Sequence, residues 1–485
     1  RKKVFVMLNN NDLEFLLSQG INKQDLNEQL SLLKDDSKLK KLLLIRPCDK
    51  NDGILPPEDV QKINIESGPP MPGIFISRFI PASGSATRMF NFDLFEDKFF
   101  KNLHLLPFFN QIESFCSEKK IDLKNIVSGK DSKLFNDILT SENKLNLSSK
   151  PKAIIDLHQI NSVPISPIEQ FLVNSMDDIT NSPLIFSIQE KYVAEVQDKV
   201  KHSSFLADYN PDLMFEITTQ KKSTNSLCVD DKGEILRHPN GEVYTHPSGH
   251  GALLENLGEI DSDFIFINNI DNISPKTRTL RYEVSKSLFN IAYSNKRRFD
   301  MLLQTFSERK YNLLESLIAQ FETYMPNHLK DKSVEQKVDL IIEMLNKPIR
   351  VCGVVKDENS KGGKPFWVND GKAESVQIVE ESQVDLKDEN QIRLWEEGSY
   401  FNPVEMICCI KDFTGKKFDL KQFSEYSLKM KVNKDILGKS SSFIECPGLW
   451  NGSMHYWHTT FVEIPGASFT PVKNFTDLFL SIHQP

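Results

Sequence analysis

Leucine and phenylalanine recur at three- and four-residue spacing over Asp12–Gln19 and Lys23–Leu33, with Asn and Asp at the flanks, so both segments are expected to be helices. The prolines Pro56-Pro57 and Pro69-Pro70-Met71-Pro72-Gly73 end that pattern, because proline removes a donor and holds its predecessor extended. A helical N-terminal region over 1–68 is the expectation. The apolar run Ile74–Ile80 then feeds a small-residue loop, Pro81-Ala82-Ser83-Gly84-Ser85-Ala86-Thr87-Arg88, as at the start of an α/β core. Residues 91–148 mix aromatics with Lys, Asp and Asn at helix-like spacing and predict a helical insertion. Strands are expected at Ala153–Leu157, Leu184–Ile188 and Asp263–Asn268, with turns at Asp231-Lys232-Gly233 and Pro239-Asn240-Gly241. Over 277–345 the pattern is helical, with Leu302, Leu303, Phe306, Leu313, Leu314, Leu317 and Phe321 on one apolar face. Strands return at Ile349–Val355, Ser375–Val379, Val404–Ile410 and Phe461–Ile464. The organisation expected is a core over 69–348 with helical insertions near 91–148 and 277–345, completed by 349–485.

Composition narrows the partners. The chain has 485 residues, 39% of them hydrophobic, enough for a sizeable core. A net charge of -8 and a pI near 5.8 argue against a nucleic-acid partner, which calls for a basic face, and favour small molecules. The longest apolar stretches, such as Val404–Ile410, fall far short of the roughly 18 to 20 residues of a membrane span. Seven cysteines, an odd number with no Cys-x-x-Cys pair, suit buried thiols in a reducing compartment, and the expectation is a cytoplasmic protein. The segment before Met7 is too short, with too small an apolar core, for a secretory signal. Nothing in the pattern sets an oligomeric state.

Several separated segments carry candidate chemistry. No Gly-x-x-x-x-Gly-Lys loop and no Gly-x-Ser-x-Gly elbow occurs, which removes the main support for a P-loop kinase or a serine hydrolase. Read in order, the remaining islands resemble the UDP-sugar pyrophosphorylase family. The loop Ala82-Ser83-Gly84-Ser85-Ala86-Thr87-Arg88-Met89 resembles that family's glycine-rich nucleotide loop, and Pro151-Lys152 its Pro-Lys before a strand. Phe215-Glu216-Ile217-Thr218-Thr219-Gln220 is similar to the strand ending in a base-contacting glutamine. Pro247-Ser248-Gly249-His250-Gly251 resembles the Pro-Pro-Gly-His-Gly turn beside the nucleotide, and Asn269-Ile270-Asp271-Asn272 the Asn-x-Asp-Asn metal strand end. Tyr400-Phe401-Asn402 resembles the sugar-side segment, and Phe469-Thr470-Pro471-Val472-Lys473 the Phe-x-Pro-Val-Lys element whose lysine meets phosphate. The islands run from about 74 to 480 and resemble most an uncharacterised bacterial branch of the superfamily.

The resemblance implies a Rossmann-like nucleotidyltransferase fold of GT-A type, a mixed sheet flanked by helices. It implies transfer from a nucleoside triphosphate, UTP by the resemblance, to a sugar 1-phosphate, with release of pyrophosphate. Arg88, Lys152 and Lys473 would be the catalytic cations, and Asp271 would hold Mg²⁺. Ala82, Ser83, Gly84, Ser85, Thr87, Gln220, Gly249, His250 and Gly251 would bind the nucleotide, and Asn272 and Asn402 the sugar. The physical chemistry of the residues agrees. Asp271 follows an apolar strand and offers a hard oxygen where open α/β sheets take ligands, while the two lysines and the arginine suit phosphate oxygens. Gly249 and Gly251 would allow close backbone approach to a base or ribose.

The pattern departs from the family at Ser83 and Ala86, where glycine is usual, at Phe90, where a small residue is expected, and at Ala252, which replaces an aspartate. The altered loop motivates a second reading, a nucleotide or nucleotide-sugar sensor on the same fold without turnover. Glycosyl transfer from a nucleotide sugar is a third, in which the phosphate lysine near the end of the chain has no task.

Overall fold

The protein is described by a computed structural model that covers residues 8–66, 72–90, 92, 95–175, 183–206, 215–322, 330–356, 362–371 and 373–485. The segment before Met7, Met7 itself, Pro69-Pro70-Met71 at the expected boundary, and the side chain of Leu313 lie outside the described residues.

A large mixed sheet forms the centre. Its strands in chain order are β1 (Asp49–Lys50), β2 (Gly53–Leu55), β3 (Ile76–Pro81), β4 (Leu184–Ser187), β5 (Phe215–Thr218), β6 (Phe264–Asn268), β7 (Ile349–Lys356), β8 (Tyr400–Phe401), β9 (Glu405–Cys409) and β10 (His458–Glu463). Their spatial order is β1-β2-β10-β7-β9-β6-β3-β4-β5, with β8 paired to β7. Among the described residues β9 runs against the rest of that path: it is antiparallel to β6 and to β7, while the other neighbours are parallel.

Parallel strands buried on both faces read as unbroken apolar runs, which is why Phe264-Ile265-Phe266-Ile267 was legible as a strand. The two-residue alternation divides it cleanly. Phe264 and Phe266 pack with Val284, Leu288 and Ile291 of the long helix Arg278–Ser307 on one face. Ile265 and Ile267 pack with Leu253, Leu257, Val354 and Met406 on the other. The helical stretch expected over 277–345 is three described helices, Arg278–Ser307, Tyr311–Glu322 and Val334–Leu345, joined through Leu303, Phe306, Leu314, Val338 and Ile341.

The insertion folds as Phe109–Glu118, Leu123–Gly129 and Ser132–Thr140 around buried Phe100, Phe108 and Phe135, which also receive Phe475 from the end of the chain. All seven cysteines are free, and Cys408 and Cys409 lie inside β9 in the core.

Two expectations are corrected. The region 1–68 begins with helices Asn10–Ser18 and Lys23–Lys34, but Leu43–Pro47 is a strand paired with Lys364–Asn369, and β1 and β2 extend the central sheet. Residues Ala153–Leu157 do not form a strand; Lys152–Ile154 is a 3-10 turn. Ile154 faces one apolar cluster and Ile155 and Leu157 another, so the run is buried by packing without a sheet neighbour. Periodicity does not separate those two cases in so short a segment.

Candidate functional site

The chain leaves β3, β4, β5 and β6 on one edge of the sheet, the carboxyl edge at which open α/β sheets take ligands. The antiparallel β9 brings its first residue, Glu405, to the same edge, opposite Asn268 at the end of β6.

The loop after β3 lies open. The Ala82 amide donates to Ser187 and the Ala86 amide to Lys150 (2.9 Å), while Gly84 accepts from the Lys152 amide (3.3 Å). Between those anchors the amides of Ser83, Gly84 and Ser85 have no protein acceptor among the described residues, and Gly84, Ser85, Thr87 and Arg88 are exposed. Thr87 donates its hydroxyl to the Ser148 carbonyl, and the Ser83 carbonyl accepts from Gln189.

No residue of the loop has a left-handed backbone, so serine and alanine cost nothing where glycine is usual. At the positions that depart from the family, Ala86–Arg88 forms a 3-10 turn that buries Ala86, and Phe90 packs against Phe108 and Phe475.

Lys152 closes the base of this loop. Its ammonium donates to Asp271 Oδ2 (2.9 Å) and to the Val472 carbonyl (2.8 Å), with the two charged side chains 13% and 21% exposed. The Val472 amide in turn donates to the Asp271 carbonyl (3.0 Å), and the Phe475 amide to the Met89 carbonyl (2.8 Å). Segments near 84, 152, 271 and 472 therefore meet at one point. Lys473, next to that clasp, is exposed, with its ammonium 4.9 Å from the centre of the Phe469 ring. Among the described residues no group of three or more His, Cys, Asp or Glu side chains converges to hold a metal.

The turn at 247–251 is assigned differently from the sequence expectation. A Cβ on Gly249 would overlap the Glu445 carboxylate, and one on Gly251 the Pro447 carbonyl, so the glycines admit the protein's own segment 445–447. His250 stacks on Trp450 (4.0 Å between centroids, 14° between planes) and accepts the Leu449 amide on Nδ1. Burial pushes its pKa down to about 4, so it is neutral at physiological pH. The Gln220 amide, in the orientation that satisfies both its ends, pairs with the backbone of Ser248 and so braces this turn.

The two asparagines are engaged as well. Asn402 donates to the Gly353 carbonyl (2.7 Å) and accepts the Val404 amide (3.1 Å); Asn272 accepts the Thr470 amide (2.9 Å). Both were expected to meet a sugar; Asn402 ties Gly353 to Val404, while Asn272 uses only its oxygen and its buried Nδ2 has no partner among the described residues.

Sequence reasoning missed the groups beneath Asp271. Glu405 accepts from Asn268 on Oε1 and from Arg281 on Oε2 (3.2 Å), and Arg281 also donates to the Asn272 carbonyl. A glutamate heading the apolar run Met406–Cys409 was the available signal for Glu405. Nothing in the helical pattern singled out Arg281.

Residues 9–484 match the family described as "Domain of unknown function (DUF4301)". No curated protein matches the chain. Among solved structures it is similar to uridine diphosphate N-acetylglucosamine pyrophosphorylase from Trypanosoma brucei in complex with inhibitor, at 12% identity and a TM-score of 0.46, covering 97% of this chain and 79% of that one. It is also similar to a mutant UDP-glucose pyrophosphorylase from Leishmania major in complex with UDP-glucose, at 11% identity and a TM-score of 0.43, covering 98% and 79%.

Proposed function

The chain belongs to that family over nearly its whole length, and we propose that it is a nucleotidyltransferase of the sugar-nucleotide pyrophosphorylase kind. The observation that carries the reading is Lys152, whose ammonium joins Asp271 and Val472 directly under a loop with three unpartnered amides. Amides and cations around one carboxylate form the arrangement that holds a triphosphate.

In the reaction we propose, a phosphate oxygen of a sugar 1-phosphate attacks the α-phosphorus of a nucleoside triphosphate, UTP in the first instance. The bond from that phosphorus to the bridging oxygen breaks in line, and its electron pair leaves with pyrophosphate. The loop amides of Ser83, Gly84 and Ser85 orient the phosphates. Lys152, Arg88 and Lys473 neutralise the charge that develops on them.

Asp271 would hold Mg²⁺ in the mode that uses one carboxylate together with substrate phosphates: Lys152 takes Oδ2, while Oδ1 has no hydrogen-bond partner among the described residues and the side chain keeps access to solvent. Bound there, Mg²⁺ would supply Lewis-acid polarisation of a phosphoryl oxygen. In the free protein Lys152 and Asp271 satisfy each other, and an incoming phosphate would take over the ammonium.

A second reading, a sensor that binds the nucleotide without turnover, rests on the altered loop, where Ser83 and Ala86 replace glycine and Ala86 is buried in a 3-10 turn. Four nucleoside triphosphates against a panel of sugar 1-phosphates, with pyrophosphate detection, test the enzyme. A triphosphate that raises the melting temperature with no pyrophosphate from any pair would select the sensor.

A further inference from the structure

We propose that Glu405 and Arg281 are a positioning pair, with Glu405 holding the Arg281 guanidinium on the Asn272 carbonyl and so setting the turn that presents Asp271. The proposal rests on the role read for Asp271 above.

Both members are buried, Glu405 at 2% exposure and Arg281 at 8%, and both use two arms. One carboxylate oxygen of Glu405 takes Asn268 and the other takes Arg281; one guanidinium nitrogen of Arg281 takes Glu405 and another the Asn272 carbonyl. Arg78 donates to the same Asn268 from β3, so the network ties β3, β6 and β9 to the helix behind them. A buried ion pair gains little over apolar residues of the same volume, so its stability alone does not account for it. Its geometry does. The turn Asn269–Asn272 is fixed on the far side by the Val472 amide on the Asp271 carbonyl and the Thr470 amide on Asn272 Oδ1. Arg281 grips the near side, one peptide from Asp271.

A second observation lies next to the pair. Val404 has φ 60°, a left-handed backbone that a β-branched residue rarely adopts, and Asn402 holds it there through the Val404 amide and the Gly353 carbonyl. That bend ends at Glu405, opposite Asn268 in register. Strained backbone and buried charge thus converge on one carboxylate whose two oxygens are both taken by protein donors, so it acts through Arg281 and Asn268.

The test compares wild type with Arg281→Met, Arg281→Lys and Glu405→Gln by two readouts. One is kcat and KM for UTP with the sugar 1-phosphate the wild type accepts. The other is the stability coupling between Lys152 and Asp271, from double-mutant cycles in each background. Arg281→Met is expected to lower kcat on the order of 100-fold with KM within about twofold, as misplacement of a reacting group does. It is also expected to reduce the coupling to less than half. Arg281→Lys should restore much of both, and Glu405→Gln should lie between.

A kcat within about twofold of wild type in Arg281→Met, or a coupling unchanged there, overturns the proposal. Should wild type turn over no substrate pair, the enzymatic reading fails and the coupling decides alone: lost in Arg281→Met, it supports positioning, and retained, it overturns it. Should Arg281→Met fail to fold, Glu405→Gln and Arg281→Lys are held to the same criteria.

Discussion

Replacing Lys152 by methionine keeps the length of the side chain and removes the ammonium. Two bonds are lost, to Asp271 Oδ2 at 2.9 Å and to the Val472 carbonyl at 2.8 Å. Hydrogen bonds to charged groups contribute roughly 1.5–3 kcal/mol each, and an uncompensated buried charge costs roughly 3–5 kcal/mol. Here Asp271 is 21% exposed, so water recovers part of its solvation, and a net loss of about 2–3 kcal/mol is expected. Asp271→Asn keeps an acceptor and removes the charge, at about 1–2 kcal/mol. In the double variant no charge is stranded, so the two losses do not add. A coupling of about 1–2 kcal/mol is expected, against the roughly 0.3–0.5 kcal/mol scatter of independent sites. Equilibrium urea unfolding of the four proteins measures it. Additive losses within that scatter would mean that the ammonium and carboxylate do not meet in solution, and the convergence of loops at Lys152 would lose its foundation.

Arg88→Ala and Lys473→Ala should each reduce turnover on the order of 100-fold while leaving stability within about 0.5 kcal/mol, since both cations are exposed; unchanged rates would remove them from the mechanism. Gly251→Ala should destabilise strongly because its Cβ meets the Pro447 backbone, whereas Gly84→Ala, with nothing within 4 Å of its Cβ, should fold as wild type; equal melting temperatures would refute the packing described for the 247–251 turn. Phe475→Ala, fully buried among aromatic rings, should cost about 3–5 kcal/mol and raise KM for the triphosphate by loosening Lys473; a change below 1 kcal/mol in urea unfolding would contradict the docking. Buried His158 faces His483 across 2.8 Å, and burial first, then His483, lowers its pKa to about 3. The unfolded chain binds a proton below pH 6.5 and the folded one does not, so stability falls as pH drops from 6.5 toward 3, by about 2 kcal/mol at pH 5. The loss between pH 7.5 and 5 should shrink in His158→Phe, and an identical loss would exclude this histidine as its source.

Strands were legible where both faces are buried, as in Phe264–Asn268 and Ile349–Lys356, because an unbroken apolar run has few other destinations. Leu43–Pro47 was not, since it is half exposed and draws its partner from more than 300 residues away. For the candidate site, the residue types that approach one another were readable from their order along the chain: Gly84, Lys152, Asp271 and Val472 do meet. What each amide side chain does was not. Gln220, Asn272 and Asn402 have donors and acceptors that suit a ligand or a backbone group alike, and their pairing with Ser248, Thr470 and Gly353 depends on chain paths that residue type does not encode. The Glu405–Arg281 pair was hidden because a helical arginine reads as a solvated face until the strand behind it is known.

The place of β9 bears on any attempt to divide the chain. It enters the sheet between β6 and β7 and arrives late in the sequence, so a fragment ending at 348 would leave the flank of Phe264–Asn268 without hydrogen-bonding partners. That flank is a bare, apolar strand border of the kind that recruits other chains. Such fragments should therefore collect in the insoluble fraction, and expression trials aimed at a minimal core should retain residues through at least Leu478, which with Phe475 closes the aromatic cluster.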